Sequence, residues 1–156
     1  MTQLETRLRE LGITLPSPAA PVANYIGWRR SGNMLIVSGQ LCIGPDGLIA
    51  DRHKGKLGQT VSIEDAHEAA KFCAINLLAQ AKSAVGDADR IKACLRLGGF
   101  IASTPDFIQQ AQVMNGASDL MVAALGDAGK HTRTTIGVPV LPLNVVVEID
   151  AMFEVA

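Results

Sequence analysis

The sequence has few aromatic residues, with one Trp, one Tyr and four Phe among 156 positions. Proteins that bind single-stranded nucleic acids stack bases on aromatic side chains, so this scarcity disfavours that class. The chain also has no excess of positive charge, since its formal net charge is −1 at pH 7. Nucleic-acid-binding domains are usually strongly basic on one face. We therefore expect no nucleic-acid partner.

Cysteine is also scarce, and Cys42, Cys73 and Cys94 are odd in number and far apart. None of them forms a CxxC pair, which favours a reducing compartment over a disulfide framework. No apolar run approaches the roughly 20 residues that span a bilayer. The N-terminal segment lacks the apolar core of a signal peptide. These features predict a cytoplasmic protein without a membrane partner.

Motifs for metal or phosphate binding are absent. His53, His67 and His131 have no ligand spacing with cysteine or acidic residues, so we expect no metal. The glycine-rich segments lack the lysine and the spacing of a P-loop. The sequence supports neither a Ser-His-Asp nor a Cys-His arrangement. His131 is near Arg133 and is a candidate general base, but a loop histidine is usually solvated.

The composition that remains is globular, with 48% apolar and 19% charged residues. The length fits one domain, and we assign 1–156 to it. Leu4, Leu8 and Leu11 recur at helical spacing and predict a short N-terminal helix. Residues 1–20 then comprise this helix and a proline-rich connector.

Turn signals, helix caps and periodicity divide the rest of the chain. They predict strands over 25–30, 34–40 and 91–102, a helix from Ser62 to near Gly86, a second long helix opened by Thr104, and a terminal hairpin about a turn at 141–144. The order α, β-β, α, β, α, β-β predicts an α+β fold. Two long helices would cover one face of an antiparallel or mixed sheet.

Alternation within the strands predicts which side chains share a face. The predicted core faces comprise Ile91, Ala93, Leu95 and Leu97 in one strand, Thr134, Ile136 and Val138 in another, and Val147, Ile149, Ala151, Phe153 and Val155 in the last. Arg133 and Thr135 would then lie together, away from the core. The second long helix would bury Phe107, Ala111, Met114, Ala117, Met121 and Ala124.

With helices on one face only, the other face of the sheet must be solvated or buried against another copy. Met34, Ile36, Val146 and Met152 are candidates for such apolar contacts. A closed homo-oligomer is one interpretation of this pattern.

Arg133 and Glu148 are the main candidates for chemistry. A guanidinium is always charged, and its planar donor fork fits a carboxylate bidentately. The alternatives for Arg133 are a solvent-exposed arginine or an ion pair with Glu148 or Asp150. Glu148 lies among valines and is either a charge that protects an edge strand or, if half-buried, a group suited to proton transfer.

Two further side chains have alternative interpretations. Tyr25, the only tyrosine, is either a surface anchor or a phenol in a pocket. The pair Asn115-Gly116 interrupts a predicted helix, although both residues have poor helix propensity. It is either a loose turn or a place where an amide points into a site.

These residues resemble the RidA/YjgF family of imine and enamine deaminases, often labelled "endoribonuclease L-PSP". The resemblance covers residues 20–156. It rests on Tyr25 with Gly32-Asn33-Met34, on Ser38-Gly39-Gln40, on Arg133 with Leu141-Pro142, and on Glu148-Ile149. The N-terminal helix and the segment 115–119 resemble a longer subgroup of the family.

The resemblance implies a chorismate-mutase-like fold, assembled as a homotrimer with clefts between subunits. It implies that Arg133 holds the carboxylate of a 2-imino or 2-enamino acid and that Glu148 lines the pocket, where our hypothesis assigns it the role of acid or base. The other pocket positions implied are Tyr25, Ser38, Gly39 and Asn115. Water would add to the imine carbon and ammonia would leave, without a cofactor.

The chain departs from the family pattern at three places. Thr135 stands where the best-known members have a cysteine, and it can hydrogen-bond water but is no thiolate. Ala23-Asn24 replaces a Gly-Pro. An insertion between Phe107 and Asn115 bears on the alignment of Asn115 with the family's pocket position. These departures bear on the substrate range.

Two other functions are open at this stage. The same cleft could hold a 2-oxo acid or another small carboxylate without turnover, as a ligand-binding or regulatory protein. A ribonuclease or translation inhibitor is the third possibility, and the net charge of −1 argues against it.

Overall fold

The computed structural model describes the whole chain, residues 1–156. Its main elements are α1 (Gln3–Glu10), β1 (Trp28–Ser31), β2 (Met34–Leu41), α2 (Ile63–Val85), β3 (Ile91–Ala102), α3 (Gln110–Leu125), β4 (Thr132–Val138) and β5 (Val147–Val155). Their order is the predicted one, and the α+β class is confirmed. No helix is long and apolar enough to cross a bilayer.

All five strands form one sheet in the order β1-β2-β5-β3-β4. β3 and β4 run parallel, and the other neighbours are antiparallel. The predicted terminal hairpin is wrong, because β3 lies between β4 and β5. A parallel pair needs a crossover connection, and α3 provides it. β4 is therefore an edge strand.

The helices α2 and α3 pack against each other and against the sheet. A single cluster of 34 buried apolar residues fills the space between these layers and extends from Leu4 to Val155. Burying a leucine or phenylalanine side chain contributes about 1.5–3 kcal/mol, so this layer dominates the stability of the fold. α1 adds Leu4 and Leu8 to it from one end.

The ends of α2 follow the local sequence. The backbone N–H of Asp65 donates to the Ser62 hydroxyl at 3.0 Å, which is the predicted N-cap. At the other end, Gly86 has a φ of 76°, a conformation that residues with a side chain rarely adopt.

The predicted start of the second long helix at Thr104 is wrong. The Thr104 hydroxyl donates to the Asp106 carboxylate at 2.7 Å instead of capping a helix. Its backbone N–H donates to the Leu57 carbonyl, and its own carbonyl accepts from the Phe107 N–H at 3.2 Å, so the segment forms a turn before α3. α3 begins only at Gln110, so Phe107 packs on the core from a loop and Ala111 is exposed.

Two predicted strand details are also corrected. β1 begins at Trp28 rather than at Tyr25. β3 has register shifts between Ile91 and Ala93 and between Cys94 and Arg96. Each bulge adds a residue and reverses the alternation. As a result Cys94 is buried and Leu95 is 38% exposed, the opposite of the prediction.

The two faces of β5 are as predicted. All five residues on its core side are buried, from Val147 to Val155. The opposite face of the sheet has no helix layer, and Met34, Ile36 and Ile136 on it are 42–45% exposed. Val146, a predicted member of this apolar surface, is fully buried instead.

Candidate functional site

Arg133 lies near the start of the edge strand β4, on the side that faces the helices. Its register partner on β3 is the buried Leu97. Thr135 pairs with Gly99, whose missing side chain would meet Met114 of α3. The prediction that Arg133 and Thr135 lie together is correct. The prediction that they point away from the helix layer is wrong.

The guanidinium of Arg133 is oriented by α3. Its Nη1 donates to the Asn115 Oδ1 at 2.8 Å and to the Ser118 hydroxyl at 3.1 Å. These two acceptors use both hydrogens of Nη1. A guanidinium has five N–H donors, so Nε and Nη2 keep three that have no protein partner. The free Nε–Nη2 edge is the one that fits a carboxylate bidentately.

No carboxylate of the chain pairs with Arg133. Asp150, one of the expected partners, instead forms an ion pair with Arg96 at 3.2 Å. Glu148, the other expected partner, lies on the opposite face of the sheet. The interpretation of Arg133 as half of an ion pair is therefore wrong. The guanidinium is exposed, held in place and without a counter-charge.

Asn115 and Gly116 lie within α3, so the predicted loose turn is wrong. A side chain at Gly116 would meet the backbone carbonyl of His67, so the glycine allows α2 and α3 to approach closely. Asn115 is on the exposed side of the helix and its amide oxygen accepts from Arg133.

Thr135 follows Arg133 on the same side of β4. Its hydroxyl oxygen is buried and has no hydrogen-bond partner. Leaving a buried polar group unsatisfied costs about 1–3 kcal/mol. The hydroxyl is therefore available to a ligand that reaches it.

Ser118 and His131 complete this group, and the sequence did not identify them as a pair. The Ser118 hydroxyl and the His131 Nε2 are 2.9 Å apart, and the His131 Nδ1 is 2.6 Å from the Gly129 carbonyl oxygen. His131 is thus half-buried and bonded, in contrast to the expected solvated loop histidine. We refer to Asn115, Ser118, His131, Arg133 and Thr135 as the arginine cluster.

Glu148 lies in the middle of β5, between β2 and β3, on the face without helices. It is half-buried and has no hydrogen-bond partner in the chain. Burial raises the pKa of its carboxyl group above the usual 4.5, and the nearby Asp150 carboxylate raises it further. A carboxyl with a raised pKa is suited to proton transfer near neutral pH.

Ser38 and Gly39 lie beside Glu148. A side chain at Gly39 would meet the Glu148 carboxylate, so the glycine leaves that group accessible. The Ser38 hydroxyl donates to the Ile26 carbonyl at 2.7 Å and holds the preceding segment against β2. Tyr25 is on this segment and is 54% exposed. We refer to Ser38, Gly39 and Glu148 as the glutamate cluster.

Within one chain the two clusters are separate. β3 lies between β4 and β5, so Arg133 and Glu148 are on strands about 10 Å apart, and they point to opposite faces. A cavity of about 490 Å³ near the end of β4 is lined by Lys56, Gln110 and Gly137 among others, and it includes neither residue. A small ligand in one chain cannot reach both groups.

Other reactive groups are away from these clusters. Burial raises the pKa of Cys42 to about 11 and that of Cys94 to about 12, which leaves both as unreactive thiols. Burial also raises the pKa of Cys73. No group of three or more His, Cys, Asp or Glu side chains is arranged to hold a metal ion.

Similar proteins identify the family. Residues 5–155 match the family model described as "YjgF/chorismate mutase-like, putative endoribonuclease". Protein TCP17 of Trypanosoma cruzi is 39% identical over 153 residues, which cover 97% of this chain and 94% of TCP17. The crystal structure of Atu1372, a protein of unknown function from Agrobacterium tumefaciens, is 45% identical, with a TM-score of 0.91 over 99% of this chain and 93% of that one.

A protein of Shewanella oneidensis is also similar in structure, with 32% identity and a TM-score of 0.93 over 99% of this chain and 100% of that one. These relatives match nearly the full length of the chain. The residues that the family model matches, 5–155, include both the arginine cluster and the glutamate cluster. The chain belongs to the YjgF/chorismate mutase-like family, the RidA/YjgF family that its motifs predicted.

Proposed function

We propose that the protein hydrolyses reactive 2-imino or 2-enamino acids to 2-oxo acids and ammonia. The observation that carries this proposal is the guanidinium of Arg133, which is oriented by α3, exposed, and without a counter-charge. Each charge-assisted hydrogen bond to a carboxylate contributes about 1.5–3 kcal/mol. The ligand class is therefore a small carboxylic acid, and Thr135 lies on the same side of β4 as Arg133.

The reaction needs little from the protein beyond position and proton transfer. A water molecule adds to the electrophilic imine carbon and forms a C–O bond, while the imine nitrogen gains a proton. The C–N bond then breaks, ammonia leaves, and the hydroxyl loses its proton to give the 2-oxo acid. Holding the imine beside a water and a proton donor is sufficient for such a step, without a cofactor.

Glu148 is the proposed acid or base, and it reaches the ligand from a second copy of the chain. The supporting argument is geometric, since Arg133 and Glu148 of one copy are on opposite faces of the sheet. A homotrimer with clefts between neighbours would bring the arginine cluster of one copy to the glutamate cluster of the next. The exposed apolar side chains of Met34, Ile36 and Ile136 favour a covered sheet face.

The test is ammonia release from an imine that an amino-acid oxidase generates in the reaction mixture. We expect the wild-type protein to accelerate this release and Arg133→Ala to lose at least about tenfold in kcat/KM, since the bidentate contact is lost. Arg9→Ala is the matched control, because Arg9 is an exposed arginine without a side-chain hydrogen bond. Equal rates in wild type and Arg133→Ala would contradict the proposal.

A second candidate function is binding of a 2-oxo acid or similar metabolite without turnover. The observation in its favour is that one chain holds a carboxylate clamp without Glu148 beside it. This function predicts that a 2-oxo acid raises the melting temperature by mass action, while imine hydrolysis stays at the uncatalysed rate. Measuring both on the same preparation separates the two candidates.

A further inference from the structure

Ser118 and His131 form a hydrogen-bonded chain that ends at the proposed carboxylate clamp. The distances are 2.6 Å from the Gly129 carbonyl to the His131 Nδ1, 2.9 Å from His131 Nε2 to Ser118 and 3.1 Å from Ser118 to the Arg133 Nη1. Ser118 lies in the segment 115–119, which resembles a longer subgroup of the family, and His131 is in none of the family's motifs. Both lie on the same side of the sheet as Arg133.

The direction of each hydrogen bond follows from what the end groups can do. A carbonyl oxygen only accepts, so the His131 Nδ1 carries a hydrogen and donates to Gly129. A guanidinium only donates, so the Ser118 oxygen accepts from Arg133. In neutral His131 the Nε2 is therefore an acceptor, and the Ser118 hydroxyl donates to it.

When His131 is protonated, every contact is kept and only the hydrogen bond between Nε2 and Ser118 changes direction. Nε2 would then donate to the Ser118 oxygen, which has two lone pairs and can accept from both His131 and Arg133. The serine hydrogen is released and turns to the open side of the cluster. Ser118 can thus present an acceptor in one state of His131 and a donor in the other.

We propose that Ser118 and His131 act as a proton relay for the ligand held by Arg133, an inference that rests on the deaminase function above. Ser118 takes a proton from the attacking water and passes its own hydrogen to the His131 Nε2. In the second step the proton returns through Ser118 to the departing amine nitrogen. The relay gains and loses one proton, and the net reaction is still imine plus water to 2-oxo acid plus ammonia.

This relay and Glu148 act from opposite sides of the ligand. Adding water to an imine requires one group to accept a proton and another to donate one. Glu148 of the neighbouring copy would protonate the imine nitrogen, while Ser118 and His131 of the clamping copy activate the water. In the second step the hydroxyl of the adduct would return a proton to Glu148, while the relay protonates the departing amine. Ser118 would touch the reacting atoms, whereas His131 is a positioning and proton-holding residue behind it.

The charges around His131 are few. Arg133 is the cation linked to it through Ser118, and Asp119 is the carboxylate next to Ser118 on α3. Before β4, Lys130 and Asp127 form an ion pair with each other at 3.0 Å. On β3, Arg96 is engaged with Asp150.

The relay is tested by kcat, KM and the pH dependence of kcat for imine hydrolysis by the full chain. Glutamine can accept the Ser118 hydrogen but cannot titrate, so His131→Gln should lower kcat about 100-fold and leave KM nearly unchanged. It should also flatten the pH profile of kcat, because glutamine has no proton to gain or lose. Ser118→Ala should show the same loss of kcat, whereas Ser118→Thr should keep most of kcat. Added imidazole should restore activity to His131→Ala.

His67→Gln is the matched control, because His67 is an exposed histidine on α2 without a hydrogen bond. Thermal melts of each variant identify any that fail to fold. Ser118→Thr retains the hydroxyl, and His131→Gln retains an acceptor for the Ser118 hydrogen. If Arg133→Ala loses activity while His131→Gln keeps the wild-type kcat and pH profile, the relay is wrong and the deaminase stands. Absence of imine hydrolysis in the wild-type protein would overturn both.

Discussion

Arg133 and Glu148 lie on opposite faces of one sheet, on strands that β3 separates. Only fifteen residues of sequence separate them, and β4 and β5 looked like a hairpin that would bring them together. The chain instead uses two unpaired groups on two surfaces, a cation beside α3 and a half-buried carboxyl on the uncovered face. The proposal that the two groups meet between copies of the chain can therefore be tested with mixed variants.

Mixed assemblies of two inactive variants should recover activity. In an oligomer built only from Arg133→Ala chains, every proposed site lacks the arginine. In one built only from Glu148→Gln chains, every proposed site lacks the glutamate. In randomly mixed rings, about one interface in four pairs an intact Arg133 with an intact Glu148, so about a quarter of the wild-type activity should return. The measurement is imine hydrolysis after the two variants are unfolded, mixed and refolded together.

Each variant refolded alone is the control for this experiment. A mixture of Arg133→Ala with the double variant should stay inactive, because no chain in it supplies an intact Arg133. If the first mixture remains inactive although both variants refold to the wild-type mass, the two residues do not serve one site between copies. A monomeric mass for the wild-type protein would exclude such a site directly.

How much the sequence could predict depended on the local environment of each strand. β5 is central, and its core residues alternate with an outer face that is acidic except for Met152, so its two faces were predicted correctly. β4 is an edge strand with threonine on both sides and no continuous apolar face, and alternation shows only which residues share a face. Which side of β4 faces the helices is set by the parallel pairing of β4 with β3. That pairing depends on the topology of the whole sheet and not on the sequence of β4.

The arginine cluster shows the same limit. Asn115 is marked by a local signal, because a residue of poor helix propensity lies inside a helix. Its hydrogen bond to Arg133 has no such signal, since the two residues are eighteen positions apart. Ser118 and His131 are thirteen residues apart and meet only because α3 crosses back to β4. No spacing in the sequence marks such a pair. The bulges in β3 could not be predicted either, because one extra residue in a strand does not change its composition.

The stability of the protein should depend on pH through Glu148. Burial and Asp150 raise the pKa of Glu148 above 4.5 in the folded state, so the folded chain holds this proton more tightly than the unfolded chain. This contribution to the free energy of unfolding is fully present below 4.5 and is lost as the pH rises through the folded pKa. Glu148→Gln should therefore be more stable than wild type near neutral pH and similar in acid.

Urea denaturation midpoints across this pH range, at one protein concentration, provide the measurement. Glu154→Gln is the control, because Glu154 lies on the same strand and is exposed. A Glu148→Gln variant that is less stable than wild type at neutral pH would show that the carboxylate has a stabilising partner in the assembled protein.

A carboxylate introduced at Asn115 should block the clamp. In Asn115→Asp the new carboxylate would lie where the amide oxygen now accepts from the Arg133 Nη1. The pair would neutralise the guanidinium, and ligand affinity should fall at least about tenfold, as expected when a charge-assisted contact is weakened. Titration calorimetry with a 2-oxo acid such as pyruvate measures the change.

Gln112→Glu is the control for Asn115→Asp, since it adds one negative charge on an exposed position of the same helix. The stability of both variants should stay near that of wild type, because surface ion pairs contribute only about 0–1 kcal/mol. Unchanged affinity in Asn115→Asp would mean that the ligand does not use Arg133.

The buried hydroxyl of Thr135 should separate stability from function. It has no partner in the ligand-free chain, so replacing it with the similar shape of valine removes an unsatisfied polar group. Thr135→Val should raise the free energy of unfolding by about 1 kcal/mol, within the range for such groups. The same change should weaken ligand binding, because the hydroxyl on the Arg133 side of β4 is lost.

Thr134→Val is the control, since Thr134 is exposed on the opposite side of β4. A stabilised variant with full affinity would remove Thr135 from the site, and a destabilised one would mean that the hydroxyl is hydrogen-bonded in the free protein. Only the combination of higher stability and weaker binding identifies a polar group that is kept unsatisfied for a ligand.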